Sequence, residues 1–395
     1  MKLKQLAVSL GALFLAVTVK AQTTDDVLNL LIQNKVISQT SADSIRAEYA
    51  IKQQGVKSKQ SWFPVNAGKS FQLSGYAQFR YQGYDSAAPT IKDGFDVRRA
   101  RLDLQGAISS KWDYRLQVEY GGASGVTLLD AYVTYKPYDF LKIIAGQFII
   151  PFSVENIISD RVLEAVDRSQ VVNALVARKG DASNGIQDAI GNQNGRDVGI
   201  QLSGSVVKIR DRYIADYYVA YLNGNGINIT DFNKAKDVSA RLVFHPFKIL
   251  DIGGSYYNGY DSLPNTAYSK IKTNNQVRKR WGAEVSLNYK RYSFRSEFIR
   301  GEEGNTNPYI HQGWYAQAAY YVLPEKLQAV FRYDTYDPNV DGVGVYANTA
   351  NTYYIFGVNY FFNKWAKLQL NYSWRTEQIR DINNNVATAQ LQVVF

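Results

Sequence analysis

From Phe71 to the end of the chain, apolar and polar residues alternate in one segment after another. The last ten residues show it most cleanly: Ala387, Ala389, Leu391, Val393 and Phe395 fall on one side, and Val386, Thr388, Gln390, Gln392 and Val394 on the other. A period of two belongs to strands whose two faces meet different surroundings. Such segments lie near 71–82, 95–107, 112–121, 127–136, 140–150, 196–207, 213–222, 236–246, 249–260, 278–290, 292–300, 311–322, 326–336, 350–362, 366–377 and 386–395, sixteen in all. Connections after odd strands are usually long (83–94, 223–235, 261–277, 337–349), and those after even strands are tight (109–111, 323–325, 363–365). A soluble sandwich also alternates, but with shorter strands and polar outward positions. Here one face reads Tyr114, Leu116, Val118, Tyr120 in one segment and Leu368, Leu370, Tyr372, Trp374 in another, with Trp112, Trp281, Trp314 and Trp365 near strand ends. The pattern predicts an all-β fold, a transmembrane antiparallel β-barrel of about sixteen strands, with long external loops, tight periplasmic turns and aromatic girdles.

Two segments precede the barrel at 71–395. Residues 1–21 read as a secretory signal: Lys2 and Lys4, an apolar run from Leu6 to Val19, then Val19-Lys20-Ala21 as a cleavage site. That run is shorter than the roughly 20 apolar residues of a spanning helix, so cleavage after Ala21 and a place in the cell outer membrane are expected. Residues 22–70 form a periplasmic helical segment and linker, with Val27, Leu30, Leu31, Asn34 and Ile37 at helical spacing and a capping signal at Thr40-Ser41-Ala42-Asp43. The apolar stripe is too brief for the three to four heptads of a coiled coil, which favours a packed surface helix over self-association.

One connection breaks the rhythm. Residues 151–195 are far longer than an ordinary loop, and such loops are functional or disordered. A sixteen-stranded barrel encloses an aqueous channel too wide to select unless something narrows it. A third external loop folded inward would do so, and 151–195 is read as that constriction. Ile157-Ile158, Val162-Leu163 and Val166 suggest helix, and Val171, Val172, Leu175 and Val176 offer apolar surface to pack on the wall. Its charged residues include Arg161, Glu164, Asp167, Arg168, Arg178 and Lys179, and with Glu155, Asp160, Asp181 and Asp188 the loop is net acidic.

Composition removes several classes. The formal net charge of +10 falls to +7 once Lys2, Lys4 and Lys20 leave with the signal, and no basic run suggests nucleic acid. Cysteine is absent, which excludes disulfides, a lipidated cysteine and thiol chemistry. The two histidines, His245 at a periplasmic turn and His311 at an external strand end, fall at opposite ends of the barrel and cannot share a metal or proton relay. No Gly-x-Ser-x-Gly or His-Glu-x-x-His occurs, so no catalytic, metal or cofactor site is expected. A plugged 22-stranded transporter would need more chain.

Strand parity points Arg80, Arg99, Arg101, Arg115, Arg241, Arg280, Arg295 and Arg332 into the lumen, with Lys367 and Arg375. An arginine there stays wet, whereas at the lipid midplane it would cost roughly 2–4 kcal/mol. Arg80, Arg99, Arg101 and Arg115 lie on three consecutive strands and can form a basic patch whose planar donors match phosphate oxygens. The same parity brings in Asp103, Asp113, Glu119, Asp130, Asp197, Asp216, Asp251, Glu284, Glu297, Asp334 and Glu377. Two readings stay open: a field that attracts anions, or arginines that pair with neighbouring carboxylates and stiffen the wall. Arg98 has outward parity near the external rim, where it can snorkel, meet a lipopolysaccharide phosphate or enter a subunit contact. Tyr76, Tyr132, Tyr218, Tyr257, Tyr315 and Tyr321 project inward and allow a sugar-stacking track, though ordinary wall packing explains them as well.

Four motifs stand together: Phe95-Asp96-Val97-Arg98-Arg99-Ala100-Arg101-Leu102, Asp130-Ala131-Tyr132-Val133, Gly146-Gln147-Phe148 followed by Pro151-Phe152 and Glu155, and Gly195-Arg196-Asp197-Val198-Gly199. In these, and in the order of parts from signal to terminal Phe, the chain resembles the phosphate-selective porin O and P family of Gram-negative outer membranes. The resemblance implies a trimeric sixteen-stranded barrel in outer-membrane lipid and lipopolysaccharide, its third loop in the lumen, its arginines and lysines guiding small anions such as phosphate. It also implies that the last strand, ending on Phe395, is read by the barrel assembly machinery. The nearly balanced lumen leaves two alternatives: a general diffusion porin with a transverse field at its constriction, or a sugar-specific porin.

Overall fold

The computed structural model describes residues 70–85, 93–121, 125–177, 195–231, 234–261, 276–304, 309–342, 349–379 and 382–395. The expected signal, the 22–69 part of the helical segment and loop residues 178–194, with Arg178 and Lys179, lie outside them. Sixteen strands follow in order: β1 (Gln72–Tyr84), β2 (Gly94–Ser109), β3 (Trp112–Glu119), β4 (Thr127–Tyr138), β5 (Leu141–Ile149), β6 (Arg196–Ile209), β7 (Arg212–Leu222), β8 (Asp237–Phe247), β9 (Leu250–Asp261), β10 (Gln276–Tyr289), β11 (Tyr292–Glu303), β12 (Tyr309–Leu323), β13 (Leu327–Asp337), β14 (Asn351–Phe361), β15 (Ala366–Glu377) and β16 (Val386–Val394). Every segment expected from alternation is a strand, its ends displaced by three residues or fewer. Each strand pairs antiparallel with the next, and β16 closes on β1, leaving no open edge. That closure is what allows a sheet to cross lipid, because each backbone polar group finds its partner within the wall.

The two faces carry opposite chemistry. Outward positions hold Phe79, Leu116, Ile200, Leu242, Trp281, Phe331, Phe356, Leu370 and Trp374, all exposed. Neighbouring strands match their aromatics in pairs, as Trp281 with Phe298 at 5.1 Å, Trp314 with Tyr333 at 4.8 Å and Tyr354 with Trp374 at 5.3 Å between ring centroids. Inward, an amide ladder crosses five strands: Gln78 donates to Gln392 (2.7 Å), Gln390 to Gln369 (3.1 Å), Gln369 to Asn359 (3.2 Å) and Asn359 to Gln328 (2.9 Å). The ladder pairs buried amides with one another and ties β1 and β16 together from inside as well as through the backbone.

Of the register shifts in the wall, two reset the parity beside the long loop and its partners. Between β1 and β2, Gln78 faces Arg99 while Phe79 faces Val97, so Arg98 is the extra residue. A bulge turns two successive side chains to one side. Arg98 therefore points inward to Asp167 of the long loop at 3.4 Å, not outward to the rim as uninterrupted alternation indicates. Beyond it, Phe95 and Val97 face out and Asp96 faces in, against Arg80. A second bulge, opposite Gln117 and Val118, buries Leu129 beside Asp130.

The loop after β5 folds into the lumen. It holds α1 (Val154–Ile157), a 3-10 turn (Asp160–Val162), α2 (Gln170–Val172) and a wide turn (Asn173–Ala177). No helix runs from Ile157 to Val166, contrary to the spacing there. At its end the Val166 backbone amide donates to Asn371 (2.7 Å), and just beyond it Ser169 donates to Glu155 (2.8 Å) and Gln170 to Asp334 (3.0 Å), so the backbone follows partners on the wall. Val171, Val172, Leu175 and Val176 do pack on the wall, fully buried in one cluster with Phe148, Ile150, Phe152, Leu222, Tyr257, Ile299 and Tyr315. The barrel thus contains a dry core on the β7–β13 side, built between loop and wall.

Candidate functional site: the loop and the lumen wall

The loop is held by its acids. Asp160, buried, receives three arginines: Arg99 at 3.2 Å and Arg101 at 2.6 Å from β2, and Arg168 from the loop itself. Glu155 is equally buried and meets Arg332 of β13 at 2.5 Å, while its other oxygen accepts the Ser169 amide. Burial alone would raise the Glu155 carboxyl; Arg332, the Ser169 N–H, Arg168 and Arg295 together hold it below the ordinary carboxylate range. Glu164 accepts from Ser293, from Gln317 at 2.5 Å and from Gln328 at 3.3 Å. Asp167 is 40 % exposed and meets Arg98 at 3.4 Å and Arg80 at 3.7 Å. Solvent weakens that last contact relative to the buried ones.

The wall arginines are paired in turn. Arg80 holds Asp96 at 2.6 Å, Arg101 holds Glu119 at 2.6 Å, and Arg115 holds Asp103 at 2.7 Å and Asp130 at 3.5 Å. Arg196 makes a further pair with Asp130 at 2.6 Å. Across the lumen Arg241 pairs with Glu284 and Arg280 with Glu303. Among Arg80, Arg99, Arg101, Arg115, Arg241, Arg280, Arg295 and Arg332, Arg295 alone makes no hydrogen bond or ion pair with a described residue, and its Nε and Nη1 are buried. Four of the six inward tyrosines are occupied as well: Tyr257 and Tyr315 are fully buried, and Tyr76 and Tyr218 lie beneath Arg101 and Arg241 at 5.7 and 5.6 Å, while Tyr321 lines the hollow described below. A sugar track would need open ring faces.

At the end of the barrel with the tight turns, a hollow of about 580 Å³ opens below the loop, lined by Arg161, Lys290, Arg291, Lys364 and Lys367, with Glu164, Ser293, Tyr292, Tyr321 and Trp365. Five cations there face one carboxylate, and that carboxylate is already bonded on both oxygens.

The model of the family described as phosphate-selective porin O and P matches residues 71–395, the whole barrel. The chain belongs to that family. Solved barrels of similar fold include an anion-selective porin from Comamonas acidovorans (TM-score 0.60, 12 % identity, 83 % of this chain and 100 % of that one). The outer-membrane channel DcaP of Acinetobacter baumannii (0.56, 11 %, 84 % and 99 %) and the trimer form of OmpT from Vibrio cholerae (0.56, 11 %, 83 % and 100 %) are similar as well. At such identities the likeness concerns the fold. No curated protein matches the chain in sequence. The protein is an outer-membrane porin, a channel rather than an enzyme by family and fold.

In this porin the residues expected to form the pathway separate into groups. Arg80, Arg99, Arg101, Asp167 and Arg168 converge with Arg98 on one side, Glu155 and Arg332 join across the middle, and Arg161 and Glu164 reach the hollow below. Arg241 and Arg295 stand on the far wall. Lys290, Arg291 and Lys364 were not singled out from sequence; basic residues in two tight turns were the available signal.

Proposed function

We propose that this porin is a passive, water-filled channel for small anions, with phosphate the leading candidate. The observation that carries the reading is the cationic hollow below the loop, where Arg161, Lys290, Arg291, Lys364 and Lys367 gather in a low-dielectric-walled cleft. Charge of one sign in such a cleft raises the local concentration of counter-ions. The arginines of β1–β3 contribute less, since each is already ion-paired with a carboxylate, Asp160 being shared by Arg99 and Arg101. The loop sets the size limit, and the tight turns face the periplasm. Planar-bilayer reversal potentials in a salt gradient test the reading: an anion-positive permeability ratio and phosphate block of chloride current support it, and a ratio near unity replaces it with the general diffusion porin.

We propose that the porin assembles as a homotrimer, a reading supported by the trimer form of OmpT among the barrels of similar fold.

A further inference from the structure

Arg295 points into the lumen from the middle of β11, opposite Ser286 on one side and Gln317 on the other. The acceptors at neighbouring inward positions bond to other groups. Gln317 gives its oxygen to Arg332 and its amide to Glu164. Glu297 accepts from Ser153 and Tyr315, Glu284 from Arg241, and Asp251 from His245. Glu155, whose charge Arg295 feels, is bonded to Arg332 and the Ser169 amide. Nε and Nη1 of Arg295 are left buried with no partner. Buried guanidinium donors with unmade hydrogen bonds are a costly arrangement.

Its position in the lumen makes the arrangement useful. Ser293, two residues along the same face of β11, lines the large cationic hollow. Ser286, its cross-strand neighbour, lines a second hollow of about 120 Å³ with Asp216, Tyr218, Arg241, His245, Asp251 and Glu284. Arg295 thus stands between the two open spaces, on the wall remote from the Asp160 cluster.

We propose that Arg295 is the anion-binding, selectivity-determining residue of the pore, and that permeating anions pass along the β9–β12 wall rather than along the paired arginines of β1–β3. The ligand is a small inorganic anion, chloride or an oxyanion such as phosphate, accepting the planar donors that no carboxylate of the wall reaches. The inference rests on the porin reading above.

The chain has no cysteine, so Arg295→Cys introduces a single thiol. The wild type, Arg295→Gln, Arg295→Lys and Arg295→Cys are compared in planar bilayers by reversal potential in a potassium chloride gradient and by phosphate block. The anion-to-cation permeability ratio is expected to fall roughly fivefold in Arg295→Gln, the effect of one unit charge at contact distance in water, and to persist in Arg295→Lys. Attaching a cationic thiosulfonate to Arg295→Cys restores the anion preference, and an anionic one inverts it. An Arg295→Gln pore with wild-type selectivity overturns the assignment. A wild type that inserts without conducting overturns the porin reading instead, so the two failures are distinguishable.

Discussion

Gly75 and Phe395 exchange both of their backbone hydrogen bonds, at 2.8 and 2.9 Å, and the Phe395 ring lies over the glycine. A Cβ on residue 75 would stand 2.6 Å from that ring and 2.7 Å from the Arg101 carbonyl oxygen. The seam therefore needs glycine at one end and an aromatic at the other. Gly75→Val should lower the amount of folded barrel in outer-membrane fractions, and deleting Phe395 should do the same while leaving conductance per inserted pore unchanged. Normal insertion of the deletion would contradict a role in assembly.

Glu155→Gln removes one partner of a buried pair and leaves Arg332 uncompensated, a change that costs about 3–5 kcal/mol in such settings. The loop is expected to loosen, seen as a larger and noisier single-channel conductance and a lower unfolding temperature. Unaltered conductance with unaltered stability would show that the contact does not anchor the loop.

Acid should act through the same residue. Its carboxyl is held below the ordinary glutamate value of 4.5, so the stabilisation is complete above that value and is lost as pH falls through the depressed one. The part of the wild-type acid response that is missing in Glu155→Gln should appear only below about 4.5. A transition near neutral pH in the wild type, absent from the variant, would reverse the sign of this account.

Neutral deletion separates pairing from permeation. Replacing Arg115 by Gln together with Asp103 by Asn removes a facing pair without changing the lumen charge, and selectivity should hold. Glu164→Gln with Asp167→Asn takes two charges from the loop. If loop acids oppose a basic wall, anion preference and permeability to less polar solutes both rise; if selectivity is unmoved, the transverse field is discarded.

Orientation is open to thiol labelling of intact cells. A cysteine replacing Lys234, in the connection after β7, should react from outside, and one replacing Ser110, in the tight turn after β2, should not. The reverse result would invert the barrel.

The fold was legible because alternation is local: each strand declares its two faces within ten residues, and Leu116 or Leu370 alone among polar neighbours says which side meets lipid. Arg98 marks the limit of that logic. A bulge inserts one residue and flips everything beyond it, and nothing in Val97-Arg98-Arg99 distinguishes a bulge from a continuous strand. The constriction loop was legible as a length and as an apolar patch, Val171 to Val176, but not as a path. Its backbone follows contacts with partners such as Asn371 and Asp334 that lie some two hundred residues away in sequence. For the same reason the arginines could be placed in the lumen but their pairing could not: whether Arg101 faces water or Asp160 depends on where that loop comes to rest.

Two adjacent loop carbonyls, those of Asp160 and Arg161, accept from Gln78 on β1 and Gln392 on β16, at 3.5 and 3.0 Å. The loop leaves β5, yet it grips the first and last strands at the line where they meet. While that line is still open, the loop has only part of its anchorage; once both strands are in place, it bridges them from within. The obstruction is consequently also a clasp, fastening from inside the same two strands whose pairing closes the cylinder.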